Sequence, residues 1–175
     1  MSVIWITGLS GSGKTTLGKC LKEKLSDIGE EYIFLDGDEL RNVLGASELN
    51  KINHTRETRL NLAFKYAALV KMLSNKNINI IISTISMFDE LFKWNRENLK
   101  NYKLIYLKVD INTLKKRDQK KIYERYFNGE IKNVSGLDVK VDEPEDADFT
   151  FSCDNLDILY LAKKIIEDLK FKNNE

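Results

Sequence analysis

The sequence predicts an α/β fold, a doubly wound parallel sheet of about five strands with helices on both faces. Two observations carry that prediction. Short apolar runs rich in Val, Ile and aromatic residues alternate with longer segments whose apolar residues recur three and four positions apart. The alternation runs through all 175 residues with no linker, internal repeat or low-complexity tract, and a hydrophobic share of 42% is enough for a single core. One domain over residues 1–175 is the expectation.

The elements follow in order. Val3 to Thr7 is the first strand, and Lys14 to Gly29 a helix with Gly29 where a C-cap belongs. Tyr32 to Leu35 is the second strand, running into Asp36-Gly37-Asp38, a tight strand-to-helix turn. A helix over Thr55 to Lys76 is marked by Leu62, Tyr66, Leu69, Val70 and Leu73. Ile78 to Ile82 is the third strand, Asp89 to Lys100 a helix, Leu104 to Val109 the fourth strand and Phe149 to Phe151 a weaker fifth. The first four have the composition of strands buried on both faces of a parallel sheet. Leu156 to Phe171 closes the chain as a helix, with Lys172 to Glu175 a frayed end. The single proline, Pro144, falls in an acidic, irregular stretch from Asp138 to Asp148.

Charge and composition exclude several classes. With 28 basic against 27 acidic residues, the net charge of +1 disfavours a globally basic nucleic-acid binder. No run approaches the roughly 20 apolar residues that cross a bilayer. The N-terminus lacks the basic start and cleavage site of a signal peptide. Cys20 and Cys153 lie far apart, in no redox or metal-ligand spacing. A cytoplasmic protein with neither nucleic-acid nor membrane partners is expected. Cys20 and Trp5 read as core, His54 as a helix-start or surface residue, and Phe88 and Trp94 as core or pocket wall.

Between the first strand and first helix stands Gly8-Leu9-Ser10-Gly11-Ser12-Gly13-Lys14-Thr15, a complete phosphate-binding P-loop pattern in its required context. Its glycines let successive N–H groups curl inward toward phosphate oxygens, and the following helix adds the positive end of its dipole. Lys14 is placed to reach the β- and γ-phosphates of ATP, and the Thr15 hydroxyl to ligate Mg²⁺. The expected nucleotide contacts are Gly8, Ser10, Gly11, Ser12, Gly13, Lys14, Thr15 and Thr16. No Asn-Lys-x-Asp motif follows a late strand, as a guanine-reading switch would require. The chain is also short for a motor and lacks the recognisable apolar strand with acidic residues beside a catalytic water that a motor carries. A small-molecule kinase with a P-loop nucleotide-kinase fold is therefore preferred to a regulatory switch module or a non-catalytic partner subunit.

Asp36, Asp38 and Arg41 follow the second strand, at the carboxyl end of the sheet where such folds bind ligands. Asp36 could accept a proton from an attacking hydroxyl or hold Mg²⁺ through water, and Arg41 could neutralise an anionic acceptor. The segment from Lys115 to Lys132 is dense in Lys and Arg, with Ile122, Tyr123, Tyr126 and Phe127 at helical spacing. It reads as part of a mobile lid over about 115–145, with Arg117, Lys120 and Lys121 meeting ATP phosphates. Cys153-Asp154-Asn155, at the end of the fifth strand, would meet the ATP adenine edge.

The P-loop, Leu35-Asp36-Gly37-Asp38-Glu39-Leu40-Arg41, Ser83-Thr84-Ile85-Ser86, Arg117-Asp118-Gln119-Lys120 and Gly129 to Asp138 occur in the order found in adenylyl-sulfate kinases, which this chain resembles over nearly its whole length. The resemblance implies transfer of the ATP γ-phosphoryl group to the 3′-hydroxyl of a nucleotide's ribose, with Mg²⁺, and a homodimer, the common state of the family. It implies catalytic roles for Lys14, Asp36 and Ser86, a metal-side role for Thr15 and Asp36, and ATP contacts from Arg117 and Lys120. The acceptor would be held by Asp36, Asp38, Arg41, Arg56, Arg59, Ile85, Ser86, Lys132 and Val134, with Arg41 and Arg56 on its diphosphate-like part. Ser86 matches a serine described in that family as a phosphorylated intermediate. In-line transfer needs only positioning and charge neutralisation, so a substrate hydrogen bond or loop anchor is the expected role.

The sequence departs from the family at its base clamp. Leu49-Asn50-Lys51-Ile52-Asn53 contains no aromatic, Val134 stands where a second phenylalanine is expected, Arg59 replaces an asparagine, and Lys140-Val141 replaces Pro-Tyr. Each lost aromatic weakens base stacking by about 1–3 kcal/mol. This argues against adenine and for a smaller pyrimidine. Thr84-Ile85-Ser86-Met87-Phe88 and Trp94-Asn95-Arg96-Glu97-Asn98 resemble a side branch of the family tied to capsule phosphoramidate synthesis, whose acceptor is cytidine diphosphoramidate.

Overall fold

A computed structural model describes residues 1–44, 55–152 and 157–171. The elements are β1 (Val3–Thr7), α1 (Lys14–Ser26), β2 (Ile33–Asp36), α2 (Gly37–Val43), α3 (Arg56–Ser74), β3 (Ile80–Ser83), α4 (Asp89–Asn98), β4 (Tyr102–Lys108), α5 (Ile111–Arg117), α6 (Ile122–Phe127), β5 (Phe149–Ser152) and α7 (Ile158–Phe171). The five strands form one sheet in the order β2-β3-β1-β4-β5, every neighbour parallel. The chain leaves β1 toward one edge and crosses over it later to reach β4. The loop after β1 therefore sits at the switch point, where such sheets open a crevice.

Period-two alternation divides the core. Val3 and Trp5 of β1, with Ile80 and Ile82 of β3, face α3 and α4 through Tyr66, Val70, Leu91 and Phe92. Ile4 and Ile6, with Ile81 and Ile105, face α1 and α7 through Leu17, Leu21, Leu161 and Ile165. All five residues of β1 are buried, which fixes the strand that launches the P-loop. On the same side α1 presses close on β2: a methyl at Gly18 would lie 2.3 Å from the Phe34 ring. Cys20 and Trp5 are buried, as expected.

The strand-to-helix turn at Asp36 is present and opens into α2, for which Asp36 is the N-cap, accepting from the Asp38 N–H. Three expectations need correction. β2 is only partly buried, because it lies at the edge of the sheet rather than inside it. The basic segment is two short helices, α5 and α6, not one, because Asp118 captures the N–H groups of Ile122 and Glu124 and Lys121 adopts a left-handed conformation at φ 53. Strands and helices also shift by one or two residues at their ends, β3 beginning at Ile80 rather than Ile78. The Gly29 expectation holds in kind: its φ of 83 lets the N–H of Glu30 reach back to the Leu25 carbonyl. The readings of Leu49 to Asn53, His54, Cys153 to Asn155, Leu156 and Lys172 to Glu175 concern residues outside those described. Among the described residues no helix is long and apolar enough to cross a membrane.

Candidate active site

The loop between β1 and α1 is shaped by its glycines. Gly8 has φ 149, and a side chain there would come within 2.6 Å of the Leu107 carbonyl oxygen. Gly13 caps α1 in a left-handed conformation (φ 94) with no side-chain cap, so the first N–H groups of the helix are left for a ligand. Ser12 is fully buried beneath the loop, its N–H bonded to the Leu9 carbonyl at 3.2 Å. Lys14 donates to the Leu9 carbonyl at 2.7 Å and reaches Ser12 Oγ at 3.5 Å. Burial pushes its ammonium down to about 8 against the opposing pull of Asp38 and Asp36, with Lys120 adding to the depression.

At the carboxyl end of β2, Asp36 is held from three sides. Thr15 Oγ1 donates to its Oδ2 at 2.7 Å, Ser83 Oγ donates to the same oxygen at 3.1 Å, and the Asp38 N–H donates to Oδ1 at 2.9 Å. Burial alone would raise this carboxyl, but the three hydrogen bonds outweigh it and keep Asp36 below the usual carboxylate range. Asp38 in turn pairs with Arg41 at 3.5 Å and with Lys120 of the segment between α5 and α6. The pairing of an α2 aspartate with Lys120 brings that segment over the acceptor side.

These groups face one cleft of about 1390 Å³. Ser10, Gly11, Gly13, Lys14, Thr15 and Thr16 line it from the loop after β1 and the start of α1. Asp36, Asp38, Arg41, Arg59 and Ile85 line it from β2, α2, α3 and the loop after β3, and Arg117, Lys120, Lys132 and Val134 from the segment that follows β4. Five expected site residues lie elsewhere. Gly8 and Ser12 shape the loop without lining the cleft, and Lys121 stands at the N-terminus of α6, paired with Glu124 at 3.7 Å. Ser86 is buried, shares a 2.7 Å hydroxyl hydrogen bond with Thr84, and lines a side pocket of about 30 Å³ instead. The Arg56 guanidinium turns away, forming 3.1 and 3.0 Å bonds to Glu90 and a 2.6 Å bond to Asp142, with Phe88 packed beneath it at 5.2 Å. Phe88 also walls the side pocket.

Sequence reasoning missed several contributors. Ser83 touches Asp36, Tyr123 donates to the Ser10 carbonyl at 3.0 Å and buttresses the loop, and Lys19, Arg125 and Asn133 line the cleft. Ser83 directly ends an apolar strand run, the position that pointed to Asp36 in β2. Tyr123 carried no local signal, because its partner lies 113 positions away.

The arrangement suits a nucleotide with Mg²⁺. Thr15 and Asp36 offer a hydroxyl and a carboxylate, hard oxygen donors, within the cleft. Among the described residues no three His, Cys, Asp or Glu side chains cluster as a metal cage.

The comparisons with known proteins agree with this geometry. The family model described as adenylylsulphate kinase matches residues 1–152. A cytidine diphosphoramidate kinase of Campylobacter jejuni is 45% identical over 154 residues, spanning 87% of this chain and 88% of that protein. An adenylyl-sulfate kinase of Clostridium acetobutylicum is 35% identical over 150 residues, spanning 85% of this chain and 73% of that protein. The structure of the Mycobacterium tuberculosis APS kinase CysC, in complex with AMPPNP and APS, superposes with a TM-score of 0.85 at 24% identity, over 97% of both chains.

Proposed function

The chain belongs to the adenylylsulphate kinase family, and from that premise we propose that it transfers the γ-phosphoryl group of ATP to the ribose 3′-hydroxyl of cytidine diphosphoramidate. It is a phosphotransferase acting on a hydroxyl group, as its relatives are. The observation that carries the choice of acceptor is the higher identity to the cytidine diphosphoramidate kinase than to an adenylyl-sulfate kinase of similar coverage. Val134, which lines the cleft, supports it, offering a small apolar contact where adenine stacking would ask for an aromatic face. The product would feed capsule phosphoramidate synthesis, as in the branch this chain resembles.

The catalytic roles follow from charge and position. The loop amides and the Lys14 ammonium bind the nucleotide phosphates and neutralise charge as the γ-phosphoryl group leaves. Thr15 and Asp36 would hold Mg²⁺, which when bound would supply further charge neutralisation. Asp36 is a weak base, being held below the usual carboxylate range, so it orients the acceptor hydroxyl and takes its proton late. A loose transition state asks little more, because the attacking oxygen gains bonding only as the leaving group departs. Arg41 neutralises the acceptor's diphosphate-like group. Arg117 and Lys120 close over the nucleotide and exclude water. Arg56 holds the acceptor wall through Glu90 and Asp142 rather than gripping the acceptor itself. Ser86 anchors the loop after β3 through Thr84.

The test compares kcat/KM for cytidine diphosphoramidate and for adenylyl sulfate at saturating MgATP. A preference of at least about tenfold for the cytidine compound is expected, since each lost stacking partner is worth that order. A preference for adenylyl sulfate would overturn the assignment in favour of the family's namesake reaction.

A further inference from the structure

We infer that Arg59 is the residue through which the acceptor site selects cytosine, its guanidinium donating two N–H groups to the O2 and N3 atoms of the base. This rests on the acceptor assignment above and goes beyond it, naming how the base is read once its aromatic clamp is gone.

Three observations carry it. Arg59 lines both the main cleft and the side pocket, so it stands where the two meet. Ile85 and Val134 line the cleft beside it, apolar surfaces suited to a flat ring rather than to a diphosphate, while Leu62 and Val141 line only the side pocket of about 30 Å³ behind it. Burial and the neighbouring Arg41 both press against the charged form of the Arg59 guanidinium, and Asp138, which anchors the N–H groups of Asn133 and Val134, acts in its favour. Arg59 Nη2 donates at 2.6 Å to the Asn133 carbonyl, a neutral acceptor, which tethers one end of the fork. Arg41, engaged with Asp38, remains the cation for the anionic part of the acceptor.

The edge chemistry then selects the base. Cytosine presents two adjacent acceptors, O2 and N3, matching two parallel N–H donors. Uracil carries a hydrogen on N3, which would oppose an arginine N–H. The Watson–Crick edge of adenine pairs one acceptor with one donor. A rigid two-donor fork therefore accepts cytosine and leaves a polar group unpaired against either alternative.

The experiment measures kcat/KM for cytidine diphosphoramidate, for synthetic uridine diphosphoramidate and for adenylyl sulfate, in the wild type, Arg59→Gln and Arg59→Lys. Thermal unfolding and MgATP affinity serve as controls for folding. The wild type should favour the cytidine over the uridine compound by about 10- to 100-fold. Arg59→Gln should shrink that ratio to within about threefold, because a glutamine amide can turn to suit either edge. Arg59→Lys keeps the charge but loses the fork, so it should lose the ratio too. Equal losses on both substrates with the ratio intact, or full rescue by lysine, would mean that Arg59 acts as a charge, and the inference fails. A wild type indifferent between cytidine and uridine compounds, yet preferring both to adenylyl sulfate, sinks the inference alone. A wild-type preference for adenylyl sulfate sinks it together with the acceptor assignment.

Discussion

Around Lys14, one contiguous loop from Gly8 to Thr16 supplies six residues that line the cleft, with Gly8, Leu9 and Ser12 shaping it from beneath. Across the cleft, the acceptor wall is assembled from α2, α3, the loop after β3 and residues 131–142, held together by side-chain pairs. Arg56 bridges to Glu90 and Asp142, Arg59 to the Asn133 carbonyl, and Lys120 to Asp38. The donor side stands on the all-buried strand β1, while the acceptor pairs are half exposed. On the proposed assignment, phosphate, the same in every nucleotide, would be met by main chain, which side-chain substitution does not remove. The acceptor would be met by side chains that can be exchanged without dismantling the fold.

If the two walls differ in this way, changes on the donor side should be severe and acceptor-independent. Lys14→Ala should lower kcat by about 10²- to 10³-fold or more through lost charge stabilisation, equally for any acceptor, in steady-state assays. Near-normal turnover would break the comparison at its strongest point. The pH profile sharpens the same point. The Lys14 ammonium titrates near 8 in the empty protein, so its positive charge is present below that pH and lost above it. MgATP affinity should therefore fall between pH 7 and 9 in the wild type and stay flat over that range in Lys14→Ala.

Next in size is Gly8→Ala. The added methyl meets the Leu107 carbonyl oxygen at 2.6 Å and must adopt a φ of 149, costing about 2–4 kcal/mol of stability by denaturant unfolding. A neutral result would mean that the loop has slack the geometry denies. The smallest effect belongs to the acceptor wall. Arg56→Ala removes a half-exposed guanidinium whose contacts are partly screened by solvent, so a loss of about 1 kcal/mol is expected. The acceptor KM should rise a few-fold with kcat within about twofold. A collapse of kcat would instead place Arg56 on the reacting atoms.

The same contrast governs how much could be read from the chain. Strand–helix alternation gave the sheet, because it is encoded in contiguous segments. The P-loop pattern pointed to Ser10, Gly11, Gly13, Lys14, Thr15 and Thr16, which line the cleft, and to Gly8 and Ser12, which do not; Asp36, Asp38 and Arg41 line it and were legible because they follow a strand directly. The pairing of Arg56 with Glu90 and Asp142 was not foreseen, since these partners lie 34 and 86 positions away and neither carries a local mark. The break between α5 and α6 escaped notice because side-chain capture by Asp118 overrode helical spacing. The edge position of β2 was hidden because an apolar run does not say how many neighbours a strand will have.

The close approach of Gly18 to Phe34 has a consequence for both substrates at once. Gly18 sits about one turn beyond Lys14 in α1, and Phe34 lies two residues before Asp36 in β2. With no side chain on Gly18, the helix backbone rests directly on the Phe34 ring, and the gap from ammonium to carboxylate becomes a fixed gauge rather than an adjustable one. A single added methyl at that joint would push the two reactants apart without touching either of them.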